Sequence, residues 1–141
     1  MFEISDFYDY CKQNDVDVIP YIGCPQPAAT IRDQEYYAVF LDFSKIRSTR
    51  LLRGVCYHEL GHAATGALHK IDSPYELVER SEYRANRWAA EHYLTAQDFR
   101  DAFSWGCREL WQLAEYFDLP ERDIEKALTY WTERRGIDFT K

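Results

Sequence analysis

Tyr57-His58-Glu59-Leu60-Gly61-His62-Ala63-Ala64 is the stretch whose conformation decides the rest of the chain. Histidines four positions apart share a face when the backbone is an α-helix, where 3.6 residues make one turn. The flanks agree with a buried helix, since Leu60, Ala63, Ala64, Ala67 and Leu68 are apolar. Ser48 is a capping residue, so the pattern predicts a helix from Ser48 to about Leu68. Gly61 is the misfit, because glycine inside a helix costs about 1 kcal/mol against alanine. A neighbouring backbone passing close by would explain it.

On such a helix His58 and His62 can reach one ion, and Glu59 lies one step round, able to address a water without being a ligand. Two of the four histidines fall in this one motif. Zinc takes nitrogen and carboxylate ligands in tetrahedral geometry, and a catalytic site keeps its fourth position for water. The expected chemistry is metal-assisted hydrolysis with Glu59 as general base.

A third protein ligand is needed, and two patterns offer one. HELGHAATGALH is similar to the metzincin HExxHxxGxxH, but Gly66 and His69 each sit one residue too late. On a continuing helix His69 would share the His62 face about 10 Å further along, where a helix C-terminus favours a histidine. The other pattern is Glu79-Arg80-Ser81-Glu82-Tyr83-Arg84-Ala85-Asn86-Arg87-Trp88-Ala89-Ala90. Glu82 and Asn86 are four apart, and Ala89 and Ala90 would let an antiparallel helix approach. Asn86 could then accept a hydrogen bond from the far N–H of a ligand imidazole, fixing its tautomer. Solvated ion pairs with Arg80, Arg84 or Arg87 are the competing reading of these acids.

HELGH followed after about twenty residues by E-x-x-A-N-x-φ-A-A resembles the ImmA/IrrE family of zinc metallopeptidases. The motif-level similarity spans about residues 48–94. It implies a zincin-like fold, a Zn2+ cofactor held by His58, His62 and Glu82, and Glu59 as the base. It also implies a protein substrate, a helix-turn-helix repressor of a phage or mobile element. Trp88 stands where the family commonly has Phe. Tyr93-Leu94-Thr95-Ala96 replaces its frequent Leu-Leu-Met-Pro, which touches the wall of the active-site cleft. Residues 112–128 resemble the family's C-terminal helical pair, an echo of a helix-turn-helix that also reads as two packed helices closing the domain. A catalytically silent module that only binds a partner is the rival reading, and the intact Glu59 argues against it.

The remaining sequence fits one domain of 141 residues. Hydrophobic residues make up 46% and aromatics 16%, enough for a core. A net charge of −7 shows no basic excess for direct nucleic-acid binding. Cys11, Cys24, Cys56 and Cys107 form no CxxC and read as free thiols in a reducing, cytoplasmic setting. The N-terminus is acidic where a signal peptide needs a basic region, and no run approaches the ~18 apolar residues of a membrane span.

Ile4, Phe7, Tyr8 and Cys11 predict a short helix over 3–14, and Asp17 to Ile22 a short or edge strand around Pro20. GCPQPAAT, residues 23–30, reads as a loop. Glu35 to Phe43 is the strongest strand, with an edge that could take up substrate. Ser73, Pro74 and Glu76 predict a capped helix to about Tyr93, and Thr95 with Asp98 another start. Two more helices are expected over 106–117 and 121–135. The expectation is an α+β domain, mostly helical, with a small N-terminal sheet. Residues 1–94 would be the catalytic core and 95–141 the C-terminal helices. Phe99, Phe103, Trp105, Trp111, Tyr116 and Trp131 are candidate anchors for a partner.

Overall fold

The computed structural model describes residues 1–66 and 75–140. His69 and the helix start at Asp72-Ser73-Pro74 lie outside the described residues. The order is α1 (Ile4–Gln13), β1 (Val16–Pro20), β2 (Ala28–Asp33), β3 (Tyr36–Leu41), α2 (Thr49–Thr65), α3 (Tyr75–Tyr93), α4 (Ala96–Ser104), α5 (Leu110–Phe117) and α6 (Glu121–Thr129). A π-helical turn, Tyr130–Arg134, follows α6. The architecture is mixed α+β, largely helical with one small sheet. Among the described residues no helix is long and apolar enough to cross a membrane.

The sheet corrects the sequence reading in two ways. Its order is β1-β3-β2, with β1 parallel and β2 antiparallel to β3. Residues 28–30, expected to be loop, are the first half of β2. Pro25 and Pro27 end before Ala28, so neither interrupts the ladder. β3 is the central strand and has no free edge. Among the described residues the unpaired edges belong to β1, as expected of the strand around Pro20, and to β2. A two-residue turn joins β2 to β3, with Gln34 in the left-handed region at φ 55°.

Capping matches expectation where it is described. Ser48 Oγ accepts from the Leu51 amide at 3.0 Å. Thr95 and Asp98 form a reciprocal capping box. α2 ends at Thr65 rather than Leu68, because Gly66 turns left-handed at φ 64° and donates its amide to His62 O. α5 begins at Leu110, four residues later than expected, and α6 gives way to the π turn after Thr129.

One core joins all the layers. Phe7 and Cys11 of α1, Val39 and Leu41 of β3, and Cys56, Tyr57 and Leu60 of α2 are buried together. Ala89, Leu94, Phe99, Leu113, Phe117 and Ile124 extend the same cluster into the C-terminal helices. Helices α4, α5 and α6 therefore contribute to the core rather than hanging from it. Trp131 Nε1 donates to Leu94 O at 2.7 Å. Arg53 is a second tie: its guanidinium donates to Phe2 O at 2.6 Å, Asp118 O at 2.8 Å and Phe117 O at 3.3 Å.

Buried Asp42 shapes the loop before β2. Its carboxylate accepts from the Gly23 and Cys24 amides at 3.0 and 3.2 Å, from Ser44, and from Lys45 Nζ at 3.0 Å. Those bonds fix the approach of Pro25 and Gln26 to the cleft described next. The four cysteines are unpaired as expected, three of them buried. Burial pushes the thiols of Cys11 and Cys56 up to about 11 and about 12.

Candidate metal centre

Two helices build the centre by touching at small residues. A Cβ added to Gly61 would collide with the Ala85 carbonyl, its carbon 2.9 Å away. The misfit glycine is thus explained by backbone contact between α2 and α3. Ala85 and Ala89 are each 1% exposed and line the α3 side of that contact. Glu82 lies one turn before Ala85, so the close crossing delivers its carboxylate to the histidines.

His58 Nε2 and His62 Nε2 are 3.1 Å apart. Glu82 Oε2 is 3.2 Å from His58 Nε2, and Glu82 Oε1 is 3.2 Å from His62 Nε2. His58, His62 and Glu82 lie close enough to hold a metal ion. Without one their protons conflict. Each carboxylate oxygen calls for an N–H on its imidazole, yet two N–H groups would then face each other across 3.1 Å. A cation between two lone pairs and a carboxylate removes the conflict. Burial pulls the Glu82 carboxyl upward, but hydrogen bonds and charge from both imidazoles hold it well below the usual range.

Glu59 is 6% exposed and faces the same space from α2. Thr30 Oγ1, on β2, donates to Glu59 Oε2 at 2.5 Å. The cleft has a volume of about 390 Å³. His58, Glu59, His62 and Glu82 form one wall, and Pro25, Gln26 and residues 28–31 form the other. The strand edge beside the metal site is accordingly β2, not the Glu35–Phe43 strand.

The other candidates fall as follows. Glu79 is exposed and is not among the residues that converge on the ion site. Asn86 is half-buried one turn beyond Glu82, and among the described residues its side chain bonds to neither imidazole. Asp123 of α6, not singled out from sequence, lies against α2 one turn before His58. A Cβ on Gly54 would meet Asp123 Oδ2 at 2.8 Å and Pro120 Cδ at 2.6 Å. Burial pushes the Asp123 carboxyl up to about 6, against the opposing pull of His58, Lys126 and Arg122. Thr30 was also missed. The Thr30-Ile31 pair ahead of the Asp33-Gln34-Glu35 turn and the strong strand after it was the hairpin signal available in the sequence.

Comparison of the chain with family models, with curated proteins and with solved structures returns no match.

Proposed function

We propose that the protein is a zinc-dependent endopeptidase of zincin-like build, as its resemblance to the ImmA/IrrE family implies. The observation that carries this reading is the convergence of two imidazoles and a carboxylate beside a buried glutamate in an open cleft. Zinc bonds of about 2.0–2.1 Å at tetrahedral angles separate ligand atoms by about 3.3 Å. The three separations of 3.1–3.2 Å fit that triangle. Two nitrogens and one carboxylate suit zinc better than calcium or magnesium, which favour oxygen ligands in larger number.

When bound, zinc polarises the scissile carbonyl and makes a water acidic enough to lose a proton near neutral pH. Glu59 takes that proton and delivers it to the leaving amine, so one carboxylate serves both halves of the reaction. The free edge of β2 offers backbone donors and acceptors to an extended peptide, and Ala28 and Ala29 leave room for it. The substrate read from the resemblance is a helix-turn-helix repressor. Such a protein carries a basic face for phosphate, which complements a chain of net charge −7.

The test is to incubate the zinc-loaded protein with the candidate repressor and read the products by mass spectrometry. A single cut that disappears on chelation and returns with zinc supports the reading. No zinc uptake, or cleavage that survives full metal removal, would end it. Rapid degradation of unrelated unfolded proteins would overturn the selectivity and leave the metal chemistry standing.

A further inference from the structure

We infer that Thr30 is the positioning residue for the general base, and that it registers the substrate strand against Glu59. This rests on the peptidase reading and adds a residue to it. Glu59 has three rotatable side-chain bonds, and a base that wanders over its rotamers is seldom aligned with its proton. Thr30 removes that freedom. Its hydroxyl reaches across from β2 to α2, 29 positions away in sequence, and donates to Glu59 Oε2 at 2.5 Å. That separation is typical of a hydroxyl bonded to an ionised carboxylate, among the stronger neutral-to-charged hydrogen bonds. Threonine is itself stiff about χ1, and its backbone is pinned in the ladder opposite Val39. With Oε2 committed to Thr30, Oε1 is the oxygen left to take a proton.

The placement of Thr30 adds a second consequence. β2 is an edge strand with one side unpaired, and it lines the cleft over residues 28–31. A peptide backbone laid along β2 is therefore fixed relative to the same strand that holds the base. Docking and proton transfer share one reference frame, and Thr30 is the link between them. A misplacement of about 1 Å between reacting groups can cost about 10²-fold in rate, which gives such a link its value.

The experiment compares Thr30→Val, which keeps the shape and loses the hydroxyl, with Thr30→Ser, which keeps the hydroxyl. The zinc-loaded proteins are titrated with a simple aliphatic hydroxamate. That probe presents oxygen to the metal and a proton to the base, so it reads base placement without a known substrate. Thr30→Val should take up zinc and melt as the wild type does, yet bind the hydroxamate about 10-fold more weakly, and Thr30→Ser should restore binding. On a cleaved peptide, Thr30→Val should lower kcat about 10-fold or more with KM little changed. Hydroxamate affinity in Thr30→Val equal to wild type would overturn the proposal, as would a change confined to KM. Wild-type protein that takes no zinc, or ignores the hydroxamate, would instead overturn the peptidase reading beneath it.

Discussion

A carboxylate that must accept a proton and return it has to sit beside the water yet be shielded enough for its hydrogen bonds to count. Glu59, the proposed base, is 6% exposed, lines the cleft and accepts a hydrogen bond from Thr30. Replacing it with Gln keeps the shape and removes the proposed base. Glu59→Gln should keep its zinc and lose about 10²–10⁴ in turnover. Zinc lost with the activity would mean that Glu59 is a ligand. Asp123 makes a different prediction. Its carboxyl titrates at about 6 in the fold against an ordinary 3.8, so the folded state holds that proton more tightly than the unfolded one. The sign follows from linkage: stability falls as pH rises from about 4 to about 6, and the full cost is present above that. A gap of about two pH units is worth about 3 kcal/mol. Asp123→Asn should therefore stabilise the metal-stripped protein at pH 7.5 by about 1–3 kcal/mol and flatten that pH dependence. Zinc at His58 would offset the charge, so the gain should shrink in the loaded protein. Denaturant titrations of both forms at pH 4.5 and 7.5 decide it.

The contact of α2 with α3 is where helix propensity and tertiary geometry oppose each other. Gly61→Ala favours the isolated helix, yet the new methyl would strike the Ala85 carbonyl. The clash should win, because the obstacle is backbone and cannot rotate away. Gly61→Ala is expected to destabilise the fold by about 1–3 kcal/mol. It should also weaken zinc binding, since Glu82 rides on the displaced helix. A variant that is more stable with unchanged zinc affinity would refute the close-contact account. The same pair shows how much of the centre was legible beforehand. His58, Glu59 and His62 came from local spacing on one helix, and the odd glycine already pointed to a neighbour. Glu82 needed the resemblance, because nothing in a lone glutamate says which helix it meets. Thr30 and Asp123 were missed. One lay in a stretch where two prolines argued for a loop, and the other depends on how α6 packs over Gly54. The capped starts of α2 and α4 were read closely because a cap is local chemistry. The sheet order was not, because pairing is decided by partners far along the chain.

Of the six aromatic anchors suggested by the sequence, the fold keeps two on the outside. Phe99 and Trp131 are 0% and 7% exposed, and Phe103 and Tyr116 are half-buried. Trp105 and Trp111 stand 80% and 54% exposed, beside a shallow depression of about 410 Å³ away from the metal cleft. Alanine at both positions should leave stability within about 0.5 kcal/mol and spare cleavage of a short peptide. It should cut repressor cleavage at least about 10-fold if this face grips the partner; equal loss on both substrates would rule that out. The lid that Pro120 and Asp123 form over Gly54 has a bearing on biosynthesis. The histidine helix is made early, but its face at Gly54 is closed by Pro120 and Asp123, which are made much later. Trp131 also has to reach back to Leu94 before the core is sealed. A nascent chain that stops short of Pro120 has only the α2–α3 contact to hold His58, His62 and Glu82 in register. The candidate metal centre is thus sealed only once residues as late as Trp131 have packed, so chains truncated before Pro120 should be unstable and take up zinc poorly.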